Sequence, residues 1–180
     1  MNTAPPAKSS LKRLIQLPTH LPDHRPLGQW APLALRLIVG YGFMAHGLAK
    51  LFRGPEAFTV ILQAMHFPFA AVFSWLTVVI EVFGGLAILL GAFVTLASIP
   101  MLITLLVATF AVHLPYGFSS IKLLSVGPNG ALFGQPGYET DLLYMAALIT
   151  LVIGGPGPFA VDHFLRRWTK GPGRTAEDLR

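Results

Sequence analysis

The residues of this chain whose types could do chemistry are Arg36, His46, Lys50, Glu81, His113, Tyr116, Tyr138 and Glu139, each inside a long apolar run or at its mouth. In hydrocarbon a charged side chain costs at least ~2.5–3.5 kcal/mol on insertion scales, so such groups turn toward a helix-lined interior and mark pairing or function. Glu81 is a candidate proton carrier, because desolvation favours the neutral carboxyl and a neighbouring cation favours the carboxylate. His113 stands beside it as the second candidate catalytic group. His46 and His113, on different runs at one level, have the ligand chemistry for a haem or a metal. Neither sits in a dense ligand motif, so hydrogen-bonded or interfacial roles are expected, haem is disfavoured and no metal site is assigned. His20, His24, His66 and His163 fall in tails or loops and are read as surface groups.

Spacing sorts these groups. Arg36, Gly40, Phe43, Gly47 and Lys50 recur every three or four residues and share one helical stripe, with His46 at its edge. Ser74, Thr77, Glu81, Gly84, Gly85 and Ile88 share another, where small residues admit a neighbouring helix close to the carboxylate. Arg36 lies about two turns, roughly 10 Å, in from the end of its run, at the depth of Glu81 on an antiparallel neighbour. An Arg36–Glu81 ion pair is therefore expected, serving either to fix helix register or as the charged floor of a cavity. The second layer gathers His46, Lys50, His113, Tyr116, Tyr138 and Glu139 at the opposite mouth, with snorkelling of Lys50 to the interface as the alternative. Asp162 is expected to cap a short tail helix, in preference to pairing with Arg36 or Arg166.

The elements that must hold these groups are membrane spans. Of the 180 residues 53% are hydrophobic and 12% charged, more apolar surface than a soluble domain of this size can hide. Four windows qualify against the ~20 apolar residues that cross a bilayer: residues 30–51, 70–90, 97–115, with Pro100 in its first turn, and 141–155. The fold expected is all-α, an integral membrane four-helix bundle over residues 30–165. The first run begins too late and runs too long for a cleavable signal, so it is expected to remain as an uncleaved span. The basic residues cluster before the first run and after the last, which by the positive-inside rule puts the N- and C-termini in the cytoplasm of a bacterial inner membrane. Residues 1–29 read as a Pro-rich cytoplasmic tail with a short surface helix near residues 11–17, and residues 166–180 as a basic, amphipathic tail on the inner leaflet. Residues 52–69 and 116–140 then face outward, the second folding back over the bundle mouth as a cap. With no cysteine, disulfides, thiolate metal sites, iron–sulfur clusters and thiol catalysis are excluded. The basic ends form no stripe interleaved with aromatics, so nucleic acid is not a partner.

Taken together, Arg36…Gly40…His46-Gly47…Lys50, Glu81…Gly84-Gly85…Gly91, His113, Tyr138-Glu139…Tyr144 and Gly155-Pro156-Gly157…Asp162 resemble the DoxX family of small four-helix membrane proteins, whose relatives include the DoxD subunit of thiosulfate:quinone oxidoreductase. The likeness covers roughly residues 33–165. Where that family often carries Ser-Leu-Asp after Gly-Pro-Gly, this chain has Ala160-Val161-Asp162, so no serine role is carried over.

The resemblance implies a quinone-linked or redox-accessory membrane subunit. A quinone needs an apolar slot and a few donors at its ring oxygens, which His46, Lys50, His113, Tyr138 or Glu139 would supply, above the Arg36 and Glu81 floor. Electrons would come from a partner protein or substrate. The alternatives are a non-catalytic membrane partner that anchors a soluble enzyme or serves an exported product, its basic tails docking on anionic lipid, and a small-molecule transporter, for which four spans without evident inverted repeats are poor material. A homo-oligomer is compatible with all three.

Overall fold

The computed structural model describes residues 28–169, with side chains as far as residue 165. The Pro-rich tail, its expected surface helix near residues 11–17 and the basic tail beyond residue 169 lie outside the described residues.

Among the described residues three helices are long and apolar enough to cross a membrane: Ala31–Arg53, Ala70–Leu90 and Val94–Tyr116. The first, α1, is regular throughout and ends where Gly54 turns to φ 87° and Pro55 opens α2, Pro55–Ala64. This α2 occupies the stretch expected to be an outer loop. Proline is tolerated at a first helical position, and the Ser74 hydroxyl donates to its carbonyl at 2.7 Å, tying α2 to the next span. The second long helix consists of α3 (Ala70–Val79), a π-turn at Ile80–Gly84 and α4 (Gly85–Leu90). The third consists of α5 (Val94–Ala108), a π-turn at Thr109–His113 and a 3₁₀ turn at Leu114–Tyr116. Because α5 starts earlier than expected, Pro100 lies inside the helix rather than in its first turn, and the Leu96 carbonyl has no N–H to accept from it.

The fourth helix, α6, is Glu139–Gly154, of 16 residues. At 1.5 Å per residue it is about 24 Å long, short of the ~20 residues a crossing normally takes. A further amphipathic helix, α7, runs Val161–Thr169.

The helices close a ring in which α1 packs on α4 and on α6, and α5 packs on α6 and on the π-turn of the second helix. Val39 and Phe43 of α1, Ile88 of α4, Met101 and Leu105 of α5, and Leu148 and Leu151 of α6 fill its centre. Gly40 and Gly85 set the α1–α4 approach: a Cβ on Gly85 would stand 2.7 Å from the Gly40 carbonyl oxygen.

Between α5 and α6 the chain forms an antiparallel hairpin, β1 (Leu123–Gly127) and β2 (Gly130–Phe133), with Gly127 paired to Gly130 across Pro128 and Asn129. Proline fixes φ for the turn, and Gly130 takes φ 107°. The expectation of an all-α chain is thus corrected to a mostly helical one with a hairpin. The expected cap is corrected too, because every strand residue is exposed and only Pro136, Gly137 and Thr140 of residues 116–140 reach the interior cavity.

Candidate functional site

The two π-turns carry Glu81 and His113. A π-turn inserts a residue into the i→i−4 ladder and re-aims the side chains around it, and such turns recur at functional sites. In the first, Glu81 is buried against α1, where Gly47 leaves room: a Cβ there would lie 2.8 Å from the Glu81 Cβ. Both Glu81 carboxylate oxygens accept from Lys50 Nζ at 2.5 Å. The ammonium also faces the Phe58 ring of α2 at 4.9 Å from its centroid. In the second π-turn, His113 Nδ1 lies 2.6 Å from Asp141 Oδ2, and the Thr109 hydroxyl, 3.1 Å from that same oxygen, is also 2.8 Å from the Leu105 carbonyl. A hydroxyl has one proton to share between those two acceptors. Asp141 is buried, in the first turn of α6.

Both pairs border one cavity of about 440 Å³ between α1, α5 and α6. Phe43, Phe58, Leu105, Ala108 and Val112 form its apolar wall, and His46, Lys50, Glu81, Thr140, Asp141, His113 and Tyr144 its polar one. The volume falls within the ~300–1,000 Å³ of small-molecule pockets. Of the ring nitrogens and hydroxyls on this wall, those of His46, the Nε2 of His113 and the Tyr144 hydroxyl have no hydrogen bond among the described residues, so they are free to meet a ligand. Among the described residues no three His, Asp or Glu side chains converge as a metal would require.

A sequence model of the DoxX family matches residues 31–114, the stretch that carries Lys50, Glu81 and His113. An uncharacterized protein of Haemophilus influenzae is 30% identical over 131 residues, 72% of this chain and 86% of the relative. The chain belongs to the DoxX family. Another relative of this DoxX chain, an uncharacterized membrane protein of Mycobacterium tuberculosis, is 28% identical over 142 residues, covering 75% of the chain and 81% of the relative. No solved structure matches. Apolar helices and this membrane-protein relative together make the DoxX chain an integral membrane protein.

The expected Arg36–Glu81 pair is corrected. Arg36 is buried at the far end of the DoxX bundle and donates to four carbonyls: Nε to Ile88 at 3.1 Å, one terminal nitrogen to Leu89 at 2.6 Å, and the other to Pro156 and Pro158 at 3.1 and 3.0 Å. Its planar fork matches the carbonyls at the end of α4, where Ile88 also accepts from the Gly91 amide, and those of the turn after α6, and Glu81 is satisfied by the cation that shares its depth. Arg36 therefore does not line the cavity. Lys50 does not snorkel to the interface but pairs inward. His46 borders the cavity and is exposed. Tyr138 and Glu139 do not border it: Tyr138 packs edge-on against Phe118 at 5.7 Å, and Glu139 accepts from the Ser120 amide at 2.9 Å. Tyr116 is exposed, its carbonyl taken by Lys122. Asp162 caps a helix, but not its own: it accepts from the Phe93 and Val94 amides at 2.7 and 3.2 Å and so caps α5.

Asp141 and Tyr144 are the site residues that sequence reasoning passed over, choosing the neighbouring Glu139 instead. A signal existed. Asp141, Tyr144, Leu148 and Leu151 recur at helical spacing, and the buried Leu148 and Leu151 identify that stripe as the inward one.

Proposed function

We propose that this DoxX family member is a membrane subunit of a quinone-linked redox system, and that its cavity binds the quinone ring and exchanges protons with it. What supports the reading is the convergence of the Lys50–Glu81 ion pair and the His113–Asp141 hydrogen bond, each with a buried carboxylate, on one largely apolar cavity. A quinone ring fits these residues: it asks for an apolar slot of this size and donors at its carbonyl oxygens. A bound quinone would supply an acceptor for electrons and protons. With no cysteine for an iron–sulfur cluster, the chain takes those electrons from a partner.

The residues divide the proton work. Asp141 accepts from His113 Nδ1–H, which leaves Nε2 to exchange a proton with a ligand oxygen. Releasing that proton leaves the Nδ1–H bond intact and the ring in place. Lys50 and Glu81 form a neutral pair, able to move a proton between amine and carboxylate without leaving net charge in the bilayer. Tyr144 donates its hydroxyl at the same wall.

In this reading α6 is a fourth, short crossing. Its buried Leu148 and Leu151 complete the ring, and the basic residues before α1 and after α7 favour both termini on the cytoplasmic face of a bacterial inner membrane. A non-catalytic anchor for a partner protein is the second reading, favoured by the hairpin whose Leu123, Val126, Leu132 and Phe133 are all exposed.

The test is calorimetric titration of the protein in lipid nanodiscs with a chainless dimethoxybenzoquinone, alongside absorption spectra of the co-purified lipid extract. Binding that weakens about tenfold or more in His113→Leu supports the site. Equal binding by that variant removes the site assignment, and a co-purifying protein with no quinone in the extract supports the anchor instead.

A further inference from the structure

The site has a second lobe of different character. Beside the main cavity lies a smaller space of about 160 Å³, and the two share Lys50, Phe58, Glu81, Thr104, Ala108 and Val112. The shared wall is the Lys50–Glu81 pair. Beyond it the small lobe turns apolar, running between α3 and α5 beneath α2. Phe73 and Leu76 on α3 and Ile103 and Val107 on α5 border it while remaining 36–57% exposed. These exposed faces belong to two of the helices apolar enough to cross a membrane, so the lobe opens sideways, toward hydrocarbon rather than water.

We infer that this small lobe is the passage for an apolar chain: the ligand is a chain-bearing amphiphile that enters sideways from the bilayer, places its ring in the larger lobe and leaves its chain between α3 and α5. This rests on the proposed quinone site and adds the class of molecule that occupies it. Three observations carry it. The passage is continuous with the polar cavity; beyond the ion pair its walls are apolar apart from the Met65 thioether and two hydroxyls, each already spent on a carbonyl, Thr77 on Phe73 at 2.8 Å and Thr104 on Pro100 at 3.0 Å. The outer end of the passage is roofed by α2 through Phe58 and Leu62, the latter buried, so the open side faces lipid. A head group with hydrogen-bonding oxygens stops where Lys50 and Glu81 begin, since there the wall becomes charged.

The test uses the full chain in nanodiscs and two probes, the chainless dimethoxybenzoquinone and the same ring bearing a decyl chain. Val107→Trp and Thr77→Phe fill the passage without touching the larger lobe. Each is expected to weaken the decyl-bearing probe about tenfold or more and to leave the chainless ring unchanged. Retained binding of the chainless ring also certifies that each variant is folded. Unchanged binding of both probes by both variants overturns the chain passage and leaves the ring site standing. Failure of the wild-type protein to bind either probe overturns the proposed function and this inference with it.

Discussion

Lys50 and Glu81 meet at 2.5 Å because Gly47, one turn before the lysine, lets the backbone of α1 close on the π-turn that carries the glutamate. The relationship joins three levels: a glycine in a helix stripe, an irregular turn in its neighbour, and a buried ion pair facing a cavity. Removing one partner of a buried pair leaves the other charge uncompensated, whereas removing both leaves no uncompensated charge. The Lys50 side chain keeps 25% of its surface exposed, so the penalty falls below that of a fully buried pair. Lys50→Met and Glu81→Gln are each expected to cost about 2–3 kcal/mol, and the double variant clearly less than their sum. Chemical unfolding in detergent of the four members of this cycle measures it, and strict additivity would show that the two groups do not interact.

Close packing of α1 on α4 has its own test. Gly85→Ala puts a methyl 2.7 Å from the Gly40 carbonyl oxygen and the same distance from the Met44 amide nitrogen, both backbone atoms that cannot swing aside. The helices must separate, at a cost of about 1–3 kcal/mol. Gly154→Ala, where a Cβ meets nothing within 4 Å, is the control and is expected to leave stability unchanged. A loss of melting temperature in both variants alike would mean that glycine content rather than contact sets stability.

The His113–Asp141 bond predicts a tautomer. With Nδ1 2.6 Å from the carboxylate, the neutral ring carries its proton on Nδ1. Asp141→Ala removes that acceptor and is expected to shift the ring toward the Nε2–H form, a change read from the ring nitrogen shifts of ¹⁵N-histidine-labelled protein. An Nε2–H ring in the unsubstituted protein would contradict the assignment.

Much of this architecture is legible in the residues themselves. Runs of apolar residues lead to the three long helices, and the three- and four-residue spacing of Gly40, Phe43, Gly47 and Lys50 identifies the buried face of α1. The pairing is not legible. Which cation meets Glu81 depends on how far α1 slides along the second long helix, and an α-helical count cannot include the residue a π-turn inserts. The hairpin was hidden for another reason: Leu123, Leu124, Leu132 and Phe133 are apolar enough to suggest a packed cap, although each is exposed. Asp141 was hidden by proximity, with Glu139 the more conspicuous acid at the same helix start.

Arg36 offers the sharpest separation of structural from site roles. Its guanidinium spans the end of α4 and the turn after α6 through four carbonyl acceptors, a geometry that lysine, with a point charge and a different reach, cannot reproduce. Arg36→Lys is expected to lose about 2–4 kcal/mol of stability as the Leu89, Pro156 and Pro158 carbonyls lose their donor. An Arg36–Glu81 pair would make the two residues energetically coupled. The observed geometry instead separates them, Arg36 at the α4 terminus and Glu81 on Lys50. The Arg36→Lys and Glu81→Gln effects should therefore add within about 0.5 kcal/mol, and binding at the cavity should respond to the second alone. Strong coupling in that cycle, or loss of chainless-quinone binding in a folded Arg36→Lys protein, would return Arg36 to the site.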